Sequence, residues 1–311
     1  MAEITFKDVA TGYIAANEES WRNLKHRQQW RNTLDTYVYP VIGDLPVAEI
    51  ETAHVLKILE PIWKGKAETA SRIRGRIETV LDSTKARGFG QGENPARWRG
   101  HLAQILPART RLSRGHHKAI SYEQIPSFVR ALHKRDAVAA LALEFTILTA
   151  ARSGEVIGAT WGEVDLAKAV WTIPADRMKA AKEHRVPLSA RAVGILESLQ
   201  LLDSEYLFPG AEGGKLSGMA MGMLMRRMKV DATVHGFRSS FRDWAAECTG
   251  YAHEVAELAL AQTIENKVER AYRRGDLFDK RRRLIDDWAT YCANDGAAGA
   301  KVTMIRKTDV V

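Results

Sequence analysis

The sequence has few cysteines and no long uninterrupted apolar run. Its 311 residues include only two cysteines, Cys248 and Cys292, which excludes the disulfide framework of a small secreted domain. The two could pair with each other, but a reducing compartment is the simpler interpretation. No stretch approaches the ~18 apolar residues of a membrane-spanning helix, and the first residues, MAEITFKDVA, lack the pattern of a signal peptide. These absences predict a cytoplasmic protein without a membrane partner.

The short motifs of nucleotide, zinc and serine-hydrolase chemistry are also missing. The chain has no Gly-rich phosphate loop, no CxxC pair, no HExxH and no GxSxG, and each of these motifs places ligands or a nucleophile at a spacing that its chemistry needs. We therefore expect neither a metal nor an organic cofactor.

What the sequence has in excess is positive charge. Lys and Arg total 46 against 38 for Asp and Glu, so the formal net charge is +8, while the 45% hydrophobic content is that of an ordinary globular protein. This balance favours a polyanionic partner, with nucleic acid first. A basic protein with no such partner is the alternative.

Length and patterning predict two domains. Apolar residues recur at helical spacing over most of residues 1–106, so this part is expected to be an all-helical domain. Within it, Tyr39–Ile50 carries two prolines and a glycine and is expected to be a loop. Residues 107–119 are rich in Arg, Lys and His, which is typical of an interdomain linker. Arg111 and Arg114 in this linker are candidates for phosphate contacts, although a solvated tether has the same composition.

One predicted helix of the first domain, Lys66–Arg87, has a basic face. Glycines at 88, 90 and 92 are expected to end it. A basic helix face either contacts DNA phosphates or is merely solvated, and the sequence leaves both interpretations open. The residues proposed for DNA contact on this face are Arg72, Arg76, Lys85 and Arg87.

Residues 120–311 form the second predicted domain, which is mixed. A capping box at Ser121 is expected to open its first helix, a strongly apolar helix follows, and the C-terminal half is again mainly helical to about Ala293. Three short strands are predicted between the helices, and a proline suggests an edge position for the third. The fold class is therefore mainly α with a small β-sheet (α+β). The predicted apolar helix and strands are Ala137–Thr149, Trp161–Leu166, Ala169–Ala175 and His184–Ser189.

Two arginines of the second domain stand where an oxyanion could be bound. Arg152 follows the apolar helix, and its guanidinium fork suits an oxyanion, although a pairing with Glu155 would also explain it. His235 and Arg238 lie three residues apart, on one helix face that Phe237 and other aromatics would hold firmly. A fixed imidazole beside a fixed guanidinium suits proton transfer at a bound phosphate. A capping or solvated histidine is the alternative.

A lysine and a tyrosine complete the set. Lys179 follows the second strand and could donate a proton over a substrate, but Lys182 is as well placed by spacing, and hairpin tips are often lysine-rich. Tyr272 stands among arginines, which favour phenolate over phenol, although the same pattern occurs on ordinary surfaces.

In this order the motifs resemble those of the tyrosine recombinase (phage integrase) family, and of its satellite-phage-type and genomic-island integrases in particular. The resemblance covers the whole second domain and, more weakly, the first, which is similar to the family's helical core-binding (SAM-like) domain. The segments that carry it are AARSGEVIGATW, RMKAAKEHRVPLS, HGFRSSFRDWAAE and ELALAQTIENKVERAYRRGDLFDKRRRLIDDWATYC.

The resemblance implies a role for each residue. Arg152 and Arg238 would bind the non-bridging oxygens of a scissile phosphate, and Tyr272 would attack it to form a 3′-phosphotyrosyl bond. Lys179 would protonate the 5′-hydroxyl leaving group, and His235 would assist proton transfer at the tyrosine. Glu155 would support Arg152 without taking part in the chemistry. Neither metal nor ATP would be needed, because the arginines supply the positive charge and the ester conserves the bond energy.

Two features depart from the family pattern. Gln262 stands where the family has His or Trp; its amide can donate a hydrogen bond but cannot carry a proton. The small arm-site DNA-binding domain that often precedes the core-binding domain is not visible before Thr5.

The resemblance implies an integrase that cuts and rejoins DNA to integrate or excise a prophage or genomic island. Its partners would be double-stranded DNA attachment sites clamped between the two domains, further copies of itself in a tetramer on two sites, and accessory DNA-bending or excision factors. It would act in the bacterial cytoplasm, associated with the nucleoid. The terminal helix Asp279–Cys292 would be exchanged with a neighbouring subunit, or would pack on its own domain. A catalytically silent DNA-binding protein and a type IB topoisomerase-like enzyme are the alternative functions.

Overall fold

The computed structural model describes residues 4–21, 24–86, 88, 92–107, 118–262 and 275–294. By its contacts the chain divides into two units, Met1–Ser113 and Arg114–Val311. Each unit has its own hydrophobic core, as expected when two segments fold around separate sets of apolar residues.

In the described part of the first unit, the regular secondary structure is helical, apart from an isolated β-bridge between Thr5 and Pro46. Thr5 caps the first helix, because its side chain accepts from the Asp8 backbone N–H while the Asp8 carboxylate accepts from the Thr5 N–H. The helices are α1 (Phe6–Asn17), α2 (Leu24–Thr33), α3 (Tyr39–Ile42), α4 (Thr52–Trp63), α5 (Ala67–Ala86) and α6 (Ala103–Ile105), with a π-helical turn at Leu34–Val38. The backbone of Trp98–Leu102 is kinked, with non-helical angles at Arg99 and Gly100.

The loop predicted for Tyr39–Ile50 is partly wrong. Tyr39–Ile42 is a helical turn that continues from Leu34–Val38, and Val47–Glu49 forms a 3₁₀ turn. Pro40 follows the π-helical turn Leu34–Val38 directly and lies inside this helical run. The proline is therefore accommodated within a helical turn rather than ending it.

The second unit combines helices with a three-stranded antiparallel sheet in the order β1-β2-β3. Its strands are β1 (Val164–Asp165), β2 (Val170–Ile173) and β3 (His184–Pro187). Its helices are α7 (Ile125–His133), α8 (Val138–Thr149), α9 (Ser153–Ile157), α10 (Ala190–Leu199), α11 (Ala220–Arg227), α12 (Gly236–Cys248), α13 (His253–Ala259) and α14 (Phe278–Ala293). This arrangement confirms the predicted mainly helical α+β class, and β3 lies at an edge as its proline suggested.

Two local predictions in this unit need correction. Trp161–Glu163, expected to begin the first strand, forms a 3₁₀ turn, so β1 is only two residues long. Ser121 precedes a 3₁₀ turn, Tyr122–Gln124, and its side chain makes no capping hydrogen bond. The helix proper begins at Ile125, with Pro126 in its first turn.

A close backbone approach positions the start of α12. A Cβ added to Gly236 would lie 2.2 Å from the carbonyl oxygen of Lys118, so only glycine fits there. The same crossing segment accepts a 2.6 Å hydrogen bond at the Ile120 carbonyl from the Ser240 hydroxyl. The crossing thus anchors the helix that carries Arg238.

The last described helix, α14, packs on its own unit. Leu284 and Trp288 are completely buried, and the Trp288 indole N–H donates to the Ile147 carbonyl of α8 over 2.9 Å. This is the second of the two arrangements considered for the terminal helix Asp279–Cys292; its exchange with a neighbouring subunit stays a prediction. None of the helices in the described part of the chain combines the length and apolar character needed to cross a membrane.

Candidate active site

Arg238 is a buried cation at the centre of the candidate site. Its side chain is only 5% exposed, in the first turn of α12. One terminal nitrogen donates to the Ala150 carbonyl and the other to the Leu260 carbonyl, over 2.6 Å in the second case. Its Nε–H has no partner among the described residues. A buried donor without an acceptor is costly, so this nitrogen is well suited to an anionic oxygen.

Arg152 lies beside Arg238 and directly precedes α9. The Glu155 carboxylate accepts from the Arg152 backbone N–H over 2.8 Å and from its Nη1 over 2.7 Å. The pairing that the sequence suggested as an alternative is therefore present. Arg152 Nη2 also donates to the Ala261 carbonyl over 3.2 Å. Glu155 thus orients the guanidinium fork without neutralising the site as a whole.

The two guanidinium groups raise the positive potential of the site. Burial, reinforced by the nearby charge of Arg152, lowers the pKa of Arg238 to about 10. Arg238 still carries its charge at neutral pH, although burial and the charge of Arg152 make that charged form less favourable than it is in water. Two like charges this close are stabilised by an anion between them, and phosphate matches the bidentate geometry of arginine.

His235 and Arg238 are joined by one well-packed helix start. His235 is exposed and immediately precedes α12, while Phe237, Phe241 and Trp244 on the same helix are buried as expected. The packing of these aromatics holds the backbone that carries both polar residues. His235 is therefore exposed at the start of the helix whose first turn buries Arg238.

The two lysines and the glutamine lie at the surface. Lys179 and Lys182 are both exposed on the connection between β2 and β3, so exposure does not choose between them. Gln262 is exposed, and its backbone N–H donates to the Glu257 carbonyl over 2.9 Å. The carbonyls of Leu260 and Ala261, held by the two arginines, lie immediately before it.

Several predicted residues lie outside the part that the structure describes. These residues are Tyr272, Arg87, Arg111 and Arg114. For Lys85 the backbone is described but the side chain is not.

The two remaining arginines of the predicted basic face differ in their surroundings. Arg76 is 8% exposed, donates from Nη1 to the Gln29 carbonyl over 2.6 Å, and places its guanidinium 5.2 Å from the centre of the Trp30 ring. It is not on the exposed face that the sequence predicts, because its helix turns that position toward α2. Arg72 is exposed and pairs with Glu68 over 3.1 Å, so it keeps its place as a candidate for DNA contact.

A second polar cluster beside the site was missed by sequence reasoning. Arg281 is 1% exposed, and its three nitrogens donate to the Asp276 carboxylate, the Asp276 carbonyl and the Arg185 carbonyl over 2.6 to 2.8 Å. Arg185 of β3 also binds Asp276, over 2.9 Å. Burial alone would raise the pKa of Asp276, but the hydrogen bond from Arg185 and the charge of Arg281 hold that pKa below its usual value.

His184 belongs to the same neighbourhood. Burial, with the charges of Arg281 and Arg152, lowers the pKa of His184 to about 4, although the Ala259 carbonyl opposes the shift. Its imidazole is therefore neutral at physiological pH. The sequence signal for this cluster was an arginine on the apolar side of the terminal helix, at the spacing of Leu284 and Trp288.

No group of three or more His, Cys, Asp or Glu side chains suited to a metal ion occurs within the described ranges. Both cysteines are free thiols. Burial raises the pKa of the Cys292 thiol well above its usual value.

Comparison with known families gives two matches along the chain. Residues 6–101 match the phage integrase central domain, and residues 118–263 match the phage integrase family. The two matched regions fall one in each structural unit.

Curated relatives carry the same description. The chain is 28% identical to an integrase of Enterobacteria phage P4 over 311 residues, covering 92% of this chain and 69% of the relative. It is 31% identical to prophage integrase IntZ of Escherichia coli K12 over 291 residues, covering 91% of this chain and 70% of the relative.

Solved structures share the fold. A lambda integrase dimer bound to a COC′ core site has a TM-score of 0.65 at 16% identity, over 85% of this chain and 97% of the other. A lambda integrase tetramer bound to a Holliday junction has a TM-score of 0.66 at 17% identity, over 85% of this chain and 79% of the other.

Proposed function

The chain belongs to the phage integrase family, and on that premise we propose that it is a site-specific DNA recombinase that integrates or excises a prophage or genomic island. The observation that carries the proposal is the buried guanidinium of Arg238, whose unpartnered Nε lies beside a second oriented arginine, Arg152. Such a pair suits a phosphodiester, which offers two charged non-bridging oxygens.

In the proposed reaction the Tyr272 hydroxyl oxygen attacks the scissile phosphorus. The bond to the 5′ oxygen breaks, and the DNA 3′ end is left as a phosphotyrosyl ester. The tyrosine proton passes to His235, and Lys179 gives a proton to the departing 5′ oxygen. Attack by a 5′-hydroxyl of another strand reverses these steps and rejoins the DNA, so the ester conserves the bond energy.

The arginines contribute electrostatic stabilisation. Negative charge builds up on the phosphate oxygens as the phosphoryl group is transferred, and preformed donors in a site of low dielectric constant stabilise that charge without rearranging. Arg238 is held by packing and two carbonyls, and Arg152 by Glu155, so both are oriented before DNA arrives. Removing one oriented donor of this kind typically costs about 10²- to 10³-fold in rate.

Gln262 is proposed to donate a hydrogen bond from its amide to the same phosphate. Its backbone position is set by the contact with Glu257 and by the arginine-bound carbonyls before it. An amide cannot accept and release a proton within the cycle. Proton movement is therefore assigned to His235 and Lys179.

We propose double-stranded DNA attachment sites as substrate and further copies of this chain as partners. Supporting this are the net charge of +8 and solved neighbours of the same fold, which include a dimer on a core site and a tetramer on a Holliday junction. Accessory DNA-bending or excision factors remain a prediction from the resemblance.

Covalent trapping tests the proposed chemistry. The protein is incubated with nicked suicide substrates that span the boundaries of its own element, quenched in SDS, and compared with Tyr272→Phe. We expect an adduct with the unmodified protein and none with the variant, because only the phenol oxygen can form the ester. Tyr251→Phe, which removes a phenol that binds Asp287 elsewhere in the unit, should keep the adduct.

Other outcomes distinguish the alternatives. DNA binding without any adduct would indicate a catalytically silent DNA-binding protein. An adduct accompanied by relaxation of supercoiled DNA that has no paired site would indicate a topoisomerase-like enzyme.

A further inference from the structure

The connection between β2 and β3 carries the exposed Lys179. Two residues before this lysine, Arg177 makes hydrogen bonds that fix the connection to the rest of the unit. Arg177 has a side chain only 20% exposed. One terminal nitrogen donates to the Glu163 carboxylate, and the other donates to the backbone carbonyl of Glu155. Arg177 therefore joins the lysine-bearing connection to α9.

Glu155 receives Arg177 on its backbone while its side chain binds Arg152. The carboxylate is 6% exposed and accepts two hydrogen bonds from Arg152, at 2.8 and 2.7 Å. Glu155 thus links the connection that carries Lys179, the proposed general acid, to Arg152. Arg152 and Arg238, the two arginines proposed to bind the phosphate, are called the phosphate clamp. The path runs from Arg177 to Glu155 to Arg152 entirely through hydrogen bonds.

The surroundings leave Arg177 little freedom. A Cβ added to Gly158 would lie 3.0 Å from its Nη2 and 3.4 Å from its Cζ, so the guanidinium rests against the glycine backbone. Its partner Glu163 is itself held by the indole N–H of the fully buried Trp171, over 2.9 Å. A planar fork with fixed partners on two sides is a more rigid anchor than a single ion pair.

The connection is also anchored through its backbone. The Arg177 N–H donates to the Pro174 carbonyl over 3.1 Å, and the Ala181 N–H donates to the Met178 carbonyl over 3.0 Å. Met178 is buried, whereas Lys179 is exposed. The backbone that carries Lys179 is thus held on both sides while the ammonium group stays free to reach a substrate.

We propose that Arg177 is a positioning residue that holds the Lys179 connection against the Arg152 segment, so that proton donor and phosphate clamp keep one geometry. The proposal rests on the proposed function, in which Lys179 protonates the 5′ leaving oxygen. A general acid must come within hydrogen-bond distance of the atom it protonates. A displacement of about 1 Å can cost 10²-fold in rate.

A leaving-group experiment separates positioning from mere stabilisation. Cleavage rates are measured under single turnover on two suicide substrates, one with the natural 5′-bridging oxygen and one with sulfur in its place. A thiol ionises near pKa 8.5, far below an alcohol, so the sulfur leaves without a proton donor. The proteins compared are the unmodified chain, Arg177→Ala, Arg177→Lys and Lys179→Ala.

We expect Arg177→Ala to slow cleavage of the oxygen substrate about 10²-fold. On the sulfur substrate the cleavage rate of Arg177→Ala should be close to that of the unmodified chain, and the same is expected of Lys179→Ala. Arg177→Lys should fall between, because a single ammonium cannot reach both Glu163 and the Glu155 carbonyl as the fork does. Equal slowing on both substrates, or no slowing on either, would overturn the proposal.

Arg191→Ala is the matched control. Arg191 also binds a buried glutamate, donating to both oxygens of Glu144 over 2.7 and 2.8 Å, and these two hydrogen bonds join α10 to α8 rather than to α9 or the connection. Any loss in this variant should be equal on the two substrates. If Arg177→Ala does not fold, Arg177→Lys and Glu163→Gln carry the same test.

Failure of the proposed function gives a different result. If Lys179→Ala is not rescued by sulfur, Lys179 is not the general acid, and if Tyr272→Phe still forms an adduct, the tyrosine is not the nucleophile. Rescue of Lys179→Ala without rescue of Arg177→Ala overturns the positioning role alone.

Discussion

Two buried arginines of the second unit differ in how completely they are paired. Arg281 binds a carboxylate and two carbonyls through all three of its nitrogens. Arg238 binds two carbonyls and keeps its Nε without a partner in the described structure. A buried cation whose donors are all paired contributes only to the fold, whereas one with an unpaired donor can still bind an acceptor such as a phosphate oxygen. We therefore propose a structural role for Arg281 and a phosphate-binding role for Arg238.

His184 is the titratable group next to these arginines. The groups that face it are the cations Arg281 and Arg152, the Asp276 carboxylate and the Ala259 carbonyl. Burial and the two cations oppose a third positive charge at this place. The His184 imidazole, at the start of β3, is therefore neutral next to the two arginines.

Acidification should destabilise the second unit through His184. Its pKa is about 4 when folded against about 6.5 when unfolded, so between these values the unfolded chain binds more protons and stability falls as pH falls. The contribution is about 3 kcal/mol, complete above pH 6.5 and lost near pH 4. Chemical denaturation at several pH values measures it. His184→Gln should flatten the curve in this window; an unchanged curve would contradict the neutral state.

At the scale of elements, the terminal helix α14 completes the core of the second unit. Its buried side carries an arginine, two aliphatic residues, a tryptophan and a cysteine, and the tryptophan stacks against neighbouring aromatic rings. A helix whose apolar side is covered by its own unit contributes to folding before any assembly. The buried residues are Arg281, Leu284, Ile285, Trp288 and Cys292.

Loss of α14 should therefore unfold the second unit rather than merely prevent assembly. A chain ending before Lys280 should lose its cooperative thermal transition for this unit, and Trp288→Ala should cost about 3–5 kcal/mol. Arg283→Ala, on the exposed side of the same helix, should stay within about 0.5 kcal/mol. Circular dichroism during heating measures all three. A truncated chain that melts normally would show that the helix is dispensable for folding.

The elements also show where sequence patterns sufficed. The apolar helix α8, the basic helix α5 and the β2–β3 hairpin were predicted because their periodicity and apolar content are strong. The turn at Tyr39–Ile42 was missed because Pro and Gly mark helix ends and loops alike. The same ambiguity affects every short element here, since one turn has too few residues to show a period.

At the scale of the whole molecule, the chain forms two units with separate cores, and its formal net charge is +8. Burial distinguishes two arginines of α5 that were candidates for DNA contact. Arg72 is exposed and weakly paired, and Arg76 is buried against Trp30. Only the exposed kind can release counterions when phosphate binds.

Salt dependence of DNA affinity should distinguish these two arginines in the full chain. Arg72→Gln should lower the slope of log affinity against log salt by about one unit and leave the melting temperature unchanged. Arg76→Gln should leave the slope unchanged and cost about 1–3 kcal/mol of stability, because the Gln29 carbonyl loses its donor. Binding titrations at several salt concentrations measure the first effect, and thermal melts the second. An unchanged slope for Arg72→Gln would exclude that position from the DNA face.

Periodicity, charge and motif order along the chain were enough to predict the fold class and the candidate residues, because these features are local or ordered in sequence. Which charges are buried and which partners they find was settled by folding, because pairs such as Arg185 with Asp276 are 91 residues apart. The buried placement of Arg76, the packing of α14 and the bridge from Arg177 to Glu155 belong to this second kind. Burial depends on what the rest of the chain brings to a residue, and no local pattern encodes that.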